Sequence, residues 1–82
     1  MKLSDPVKAP SYYNRGKLEC FEAIKEAIIG LSGIEAYNTG NIIKYAWRWK
    51  FKDGVKDLKK AREYIDKLIE HLENEQKEII PR

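Results

Sequence analysis

The chain has 82 residues, a formal net charge of +3 and a charged fraction of 35%. This length predicts one domain, which buries only about 60 to 65% of the surface of its unfolded chain, so a partner or a second copy would stabilise it. The single cysteine, Cys20, excludes an internal disulfide framework and a cysteine zinc site. No run of 18 apolar residues and no apolar leader occurs. We therefore expect a cytoplasmic protein rather than a membrane or secreted one.

Charge is distributed unevenly along the sequence. Residues 40–62 carry eight lysines and arginines against two aspartates, a net charge of +6. Residues 63–80 carry six acidic residues against two lysines, a net charge of −4. An anionic partner, such as a nucleotide or a nucleic acid, would therefore meet the middle of the chain.

The first 16 residues predict an extended arm, and residues 17–82 a helical domain. Pro6, Pro10 and Gly16 interrupt the arm, which shows no sustained apolar period. Its end is aromatic and polar and can cover a neighbouring site through three residues: Tyr12, Tyr13 and Asn14.

Apolar residues spaced by three and four predict two helices after the arm, over residues 17–31 and 34–51. Ser32-Gly33 separates them, and Asp53-Gly54 predicts a turn after the second. Cys20 is expected in the core.

A third helix is predicted over residues 55–76, about 33 Å long. Its apolar residues form one heptad seam: Leu58, Ala61, Ile65, Leu68 and Leu72. So long a seam indicates a helical hairpin or packing between subunits. The expected fold is all-α, with a long last helix, assembled as a homo-oligomer.

A polar stripe follows one face of the second helix, with Asn41, Lys44 and Arg48 at its centre and Tyr37 and Lys52 at its ends. Arginine offers a planar fork for phosphate oxygens, lysine a mobile charge, and asparagine a donor and an acceptor for a base or a sugar. The alternative is that these cations complement the helix dipole and stay solvated.

Three aromatic residues in the same helix, Tyr45, Trp47 and Trp49, point in different directions at helical spacing, so they do not all face the core. Trp47 is in line with Ile43 and is the expected core residue. Tyr45 or Trp49 would then stack on a base or fill a subunit interface.

A second polar row lies on the third helix, at Asp57, Lys60 and Tyr64. Antiparallel packing of the second and third helices would bring this row beside Lys44 and Arg48. Asp57 would then either orient Arg48 in a binding site or form a salt bridge that ties the two helices together.

Catalytic signatures are sparse. Two acidic pairs, Glu19 with Glu22 and Glu63 with Asp66, have the one-turn spacing of a magnesium site in all-α nucleotide pyrophosphohydrolases, although such pairs also arise freely in charged helices. His71 has no second metal-ligand histidine and is expected on the surface or at an interface. No glycine-rich phosphate loop occurs. No metal site is predicted, although Mg²⁺ can accompany a nucleotide.

Three motifs resemble one known family over about residues 11–70. They are Tyr13-Asn14 with Gly16 and Glu19, then Gly40-Asn41-x-x-Lys44-Tyr45-x-x-Arg48, then Gly54-x-x-Asp57-Leu58-x-Lys60-Ala61-x-x-Tyr64. The family comprises small proteins of tailed phages and prophages, is labelled as of unknown function and, through one phage member, as nucleotide kinase. Tyr12 stands where the family usually has histidine, which weakens a catalytic role and leaves a binding role intact.

The resemblance implies a phage-encoded, cytoplasmic, oligomeric protein that handles nucleoside phosphates in an infected bacterium. The protein would act in deoxynucleotide metabolism, or it would capture a host nucleotide signal in anti-defence. The resemblance does not decide whether it converts its nucleotide or only sequesters it. Alternatives are a single-stranded nucleic-acid-binding accessory protein and a purely structural oligomer. The resemblance gives candidate functional roles to Asn14, Glu19, Asn41, Lys44, Tyr45, Arg48, Asp57, Lys60 and Tyr64. With the aromatic end of the arm added, the predicted ligand-binding residues are Tyr12, Tyr13, Asn14, Asn41, Lys44, Tyr45, Arg48, Lys60 and Tyr64, supported by Glu19 and Asp57.

Overall fold

The computed structural model describes residues 16–79, with side chains as far as Gln76. This range contains three α-helices and no strand: α1 (Cys20–Ala27), α2 (Gly33–Arg48) and α3 (Val55–Ile79). The all-α prediction with a long last helix is confirmed. None of the helices in this range is long and apolar enough to cross a lipid bilayer. The predicted arm, with Tyr12, Tyr13 and Asn14, lies outside the described residues.

The first helix is shorter at both ends than the apolar pattern predicts. Glu19 has extended backbone angles (φ −77°, ψ 147°), so the helix begins only at Cys20. At the other end Ile28 leaves the helical conformation and Gly30 adopts a left-handed one (φ 85°). Leu31 N–H donates to Ile28 O at 2.9 Å, which closes the turn between α1 and α2.

The second helix ends earlier than predicted, at Arg48, and a 3₁₀ turn (Trp49–Phe51) follows it. Gly54 reverses the chain with a left-handed backbone (φ 56°), and its N–H donates to Trp49 O at 2.9 Å. Helix α3 starts directly after this turn. The predicted Asp53-Gly54 turn is therefore present.

Replacing Gly54 with alanine should destabilise the protein by about 1 to 2 kcal/mol, because a side chain disfavours left-handed backbone. A Cβ there would meet no atom within 4 Å, so the effect reports backbone conformation alone. Urea unfolding followed by circular dichroism measures it. Gly54→Asn is the matched control, since asparagine tolerates this conformation better and should cost less. Equal losses for the two variants would contradict this explanation.

Helices α2 and α3 form an antiparallel hairpin, and α1 packs on α2. The buried apolar side chains in residues 16–76 are Cys20, Tyr45 and Ala61, and the buried polar ones are Asn38, Arg48 and Asp57. Half of this small core is therefore polar. The expectation that Cys20 is a core residue is confirmed.

The aromatic residues of α2 are arranged differently from the prediction. Tyr45 is buried, Trp47 is half-buried and Trp49 is exposed. Tyr45 and Arg48 contact Tyr64 and Asp57, so helix α3 packs on the face of α2 that carries these two residues. The choice of Trp47 as the main core aromatic was therefore wrong.

The residues of the predicted heptad seam of α3 are not all buried by the hairpin; some face α2 and others face solvent. Ala61 is buried and Leu68 half-buried, whereas Leu58, Ile65 and Leu72 are exposed. One side of α3 thus completes the hairpin, and an apolar flank beside it stays accessible.

Candidate functional site

Arg48 and Asp57 form a buried ion pair that joins the end of α2 to the start of α3. Arg48 Nε and Nη2 donate to Asp57 Oδ1 at 3.2 and 3.1 Å, and the Asp53 backbone N–H donates to Asp57 Oδ2 at 3.0 Å. Asp57 is fully buried and Arg48 is 8% exposed. The predicted contact between the two residues is present. Because both side chains are buried, the contact corresponds to the second predicted alternative, a salt bridge that ties α2 to α3.

Two opposing influences set the pKa of Asp57. Burial alone raises the pKa of this carboxyl, but the hydrogen bonds from Arg48 and the Asp53 backbone, with the charges of Arg48 and Lys52, hold it below its ordinary value of 3.8. Asp57 is therefore ionised at neutral pH. Its charge balances Arg48 inside the fold.

A tyrosine–lysine cluster, comprising Tyr45, Tyr64, Lys44, Lys60 and Arg48, lies beside the ion pair. Lys44 Nζ is 4.8 Å, Lys60 Nζ 5.4 Å and Arg48 Cζ 4.7 Å from the centroid of the Tyr45 ring. The Tyr64 ring stacks on Tyr45 at a centroid distance of 5.9 Å and an interplanar angle of 11°. Tyr45 thus contacts cations of both helices by cation–π interaction.

The tyrosine–lysine cluster carries an excess of positive charge. Its three cations face one carboxylate, that of Asp57, which is already bound to Arg48. In the described part of the chain, no carboxylate forms an ion pair with Lys44 or Lys60. The field of Lys44 also reaches Cys20, where burial raises the thiol pKa and this charge partly lowers it.

Tyr37 and Asn41 extend this surface toward the start of α2. Tyr37 is 58% exposed, and its ring meets Tyr64 edge-on at a centroid distance of 5.9 Å and an angle of 72°. A hydrogen bond with Tyr37, followed by burial and neighbouring groups, raises the pKa of Tyr64 to about 12, so this hydroxyl stays neutral at physiological pH. Asn41 Nδ2 donates to Tyr37 O at 2.9 Å. This bond uses one of the two N–H donors of the Asn41 amide, which was predicted to contact a base or a sugar.

Among the described residues, the two acidic pairs with the spacing of a magnesium site do not form a three-ligand group. Within residues 16–76 the group whose ligand atoms lie within 4.8 Å of one another is Glu35, His71 and Glu75. His71 Nε2 lies 3.3 Å from Glu75 Oε2, one helical turn away, so an ordinary side-chain contact within α3 accounts for most of this group. Glu22 and Glu63 instead pair with lysines on their own helices, Lys25 and Lys67, in exposed contacts at 3.6 and 3.7 Å.

The predicted residues therefore separate into three sets. The structure brings together Lys44, Tyr45, Arg48, Asp57, Lys60 and Tyr64, and places Asn41 one turn away on α2. Glu19 lies half-buried at the start of α1. Tyr12, Tyr13 and Asn14 lie outside the described residues. Sequence analysis placed Tyr37 in the polar stripe but did not select it as a ligand residue, although its exposure and its contact with Tyr64 make it part of this surface.

Residues 7–66 match a protein family whose description is a protein of unknown function, DUF3310. No curated protein and no solved structure shows significant similarity to the chain. The description gives no activity, so the nucleotide kinase label stays a prediction. Because the match spans well over half of the sequence, the chain belongs to the DUF3310 family of proteins of unknown function.

Proposed function

We propose that this protein binds a nucleoside phosphate at the tyrosine–lysine cluster. The observation that carries the proposal is the convergence of Lys44 from α2 and Lys60 from α3 on the Tyr45 ring, within 4.8 and 5.4 Å of its centroid, with no pairing carboxylate among the described residues. Two lysines that lack a counter-ion attract phosphate strongly, and the partly buried setting screens them less than open solvent does.

The exposed residues beside the cluster suit the remainder of a nucleotide. Tyr37 and Lys44 lie two helical turns apart, about 10 Å along α2, with Asn41 between them. With its phosphates at Lys44 and Lys60, a nucleotide could stack its base on the exposed Tyr37 ring. Its sugar or the edge of its base would then lie near Asn41. Arg48 supports this site through its contact with Tyr45, because its guanidinium is already held by Asp57.

The same geometry favours binding over turnover. The sole histidine of the chain, His71, contacts Glu75 and has no contact with the cluster in the described structure. Tyr64, which stacks on Tyr45, has its pKa raised to about 12, so its hydroxyl is almost never deprotonated at neutral pH and is a poor candidate for a general base. We therefore infer a role as a binder, in deoxynucleotide metabolism or by sequestering a host nucleotide signal in an infected cell, with Mg²⁺ arriving on the phosphates of the ligand.

A thermal-shift panel of nucleosides and of mono-, di-, tri- and cyclic nucleotides tests the proposal. A ligand at 100 times its dissociation constant adds about 2.7 kcal/mol. For a domain of this size, that raises the melting temperature by about 10 °C or more. We expect phosphorylated compounds to produce this shift and the matched nucleosides not to. Absence of a shift with every nucleotide would refute the proposal.

Chromatography of the recovered nucleotide, after incubation with ATP and Mg²⁺, separates binding from turnover. We expect unchanged nucleotide. A new phosphorylated or hydrolysed product would show an enzyme, and would favour the kinase or the pyrophosphohydrolase alternative according to its identity.

Single-stranded nucleic acid is a second candidate ligand, favoured by the 3₁₀ turn after α2. Trp49 and Phe51 are 41% and 52% exposed there, and Lys50 Nζ lies 5.7 Å from the centroid of the Phe51 ring. Exposed aromatic rings beside cations are typical of single-strand grooves. Binding of an oligonucleotide, lost in Trp49→Ala and accompanied by no response to mononucleotides, would favour this second function.

A further inference from the structure

Helix α3 carries a second heptad row on the flank that α2 does not cover. We call the apolar members of this row the outer seam: Val55, Leu58, Ile65, Ile69 and Leu72. With Arg62 between Leu58 and Ile65, the row has the alternating three and four spacing of a coiled-coil interface. Each outer-seam side chain is between 41% and 65% exposed.

Isolated apolar residues on a surface are ordinary, but five in one continuous heptad row are not. The row runs along most of a 25-residue helix, while the shorter helix α2 packs on its other side. A groove at its far end is lined by Ile69 and Leu72 and bordered by Glu73, Glu75 and Gln76. An occupant of this groove must therefore be apolar in the centre and basic at the rim.

The first part of α3 has this composition. Residues 55–62 contain four cations against one carboxylate, whereas residues 63–76 contain five acidic residues against one lysine. Val55 and Leu58 supply the apolar centre, with Lys56 and Lys59 beside them. Antiparallel pairing of two α3 helices places each basic half against an acidic half, whereas parallel pairing places like charges together.

From this complementarity we propose that two copies of the chain pair through the outer seam, with their α3 helices antiparallel. The proposal is independent of nucleotide binding. It assigns the exposed flank of α3 a definite occupant, the same flank of a second copy, in a symmetric interface.

The heptad spacing determines the register of this interface. In antiparallel pairing, Val55 meets Leu72 of the partner subunit and Leu58 meets Ile69 of the partner subunit. Arg62 then lies opposite Ile65 of the partner subunit, where its long side chain must carry its charge to the rim at some expense of stability. On the rim, Lys59 lies opposite Asp66 of the partner subunit, and symmetry repeats this ion pair. Both residues are exposed in the single chain.

Sedimentation over a range of protein concentrations tests the pairing. For the wild type we expect a mass of two chains, or an even multiple of one chain. For Ile69→Glu we expect the pairs to dissociate, so that the mass is halved while the helix content stays unchanged. Ile29→Glu is the control, because Ile29 is 71% exposed but lies after α1, away from the seam. A wild-type chain that is monomeric throughout, or an assembly unaffected by Ile69→Glu, overturns the proposal.

A charge exchange tests the orientation. Lys59→Glu should raise the dissociation constant on the order of tenfold, since two ion pairs become repulsive contacts. Adding Asp66→Lys should restore the wild-type dissociation constant, because each new negative charge then faces a new positive charge on the partner subunit. If Lys59→Glu weakens the assembly and the added Asp66→Lys does not restore it, the antiparallel register is excluded. Both variants retain the hairpin, since neither residue faces α2.

Discussion

Asp57→Ala should destabilise the protein by about 3 to 5 kcal/mol, the largest effect that we expect from a single substitution. It leaves the Arg48 guanidinium buried without its carboxylate, and an uncompensated buried charge is far more costly than the net contribution of the pair. A domain of this length has a total stability of about 4 to 12 kcal/mol, so a large fraction would be lost. Urea unfolding, followed by circular dichroism, measures the change.

Two controls separate the buried charge from general disturbance. Glu63→Ala removes an ion pair in which both side chains are more than half exposed, and should cost less than about 0.5 kcal/mol. Replacing both buried partners, by Arg48→Met with Asp57→Leu, should recover much of the loss, because no charge is then left unpaired. If the double variant is as unstable as the sum of the two single ones, the explanation by an unpaired charge is wrong.

The same pair gives stability a defined pH dependence. The folded pKa of Asp57 lies below its ordinary value of 3.8, so the folded state holds this proton less tightly than the unfolded state. Its contribution is therefore fully present above the ordinary pKa and is lost as the pH falls through the folded pKa. Wild-type stability should fall over this acidic range, and the fall should be smaller in Asp57→Asn.

The contact between Arg48 and Asp57 was predictable because two helical rows of polar residues meet when α2 and α3 pack antiparallel across a short turn. The helices themselves were predictable because apolar spacing reports one buried face. Their ends were less so. Backbone angles at Glu19 and the 3₁₀ turn after Arg48 depend on local hydrogen bonds that apolar spacing does not report.

The burial of Tyr45 in place of Trp47 could not be read from the sequence. Helical spacing gives the direction of each side chain around α2, but not which direction α3 covers. Tyr45 lies in line with Asn38 and Arg48, a row that looks polar and therefore solvent-facing. Arg48 is instead paired with Asp57, and Asn38 Nδ2 donates to Ile34 O at 2.9 Å, while the buried Asn38 Oδ1 has no hydrogen-bond partner among the described residues.

The burial of Arg48 also changes which residues can test nucleotide binding. An Arg48 variant would lose stability together with any ligand, so its failure to bind would not report on the site alone. Lys44 and Lys60 touch the same ring without joining a buried pair. Both are half-buried, one on each helix, and glutamine preserves helix propensity at both positions.

Lys44→Gln with Lys60→Gln should therefore weaken nucleoside phosphate binding by about 100-fold or more, since two charged contacts to phosphate contribute roughly 1.5 to 3 kcal/mol each. Isothermal titration calorimetry measures the affinity, and circular dichroism should show an unchanged helix content. We expect the remaining affinity to depend less on salt, because the lost contacts are electrostatic.

The matched control is Lys25→Gln with Lys56→Gln, which removes the same charge from exposed positions outside the tyrosine–lysine cluster. It should retain the wild-type affinity within about threefold, because solvent screens exposed charges at a distance. An equal loss in both double variants would mean that net charge, not a built site, attracts the ligand. That result would favour the nucleic-acid alternative, in which a dispersed basic surface is sufficient. Loss confined to Lys44 and Lys60 would instead place the phosphates between α2 and α3.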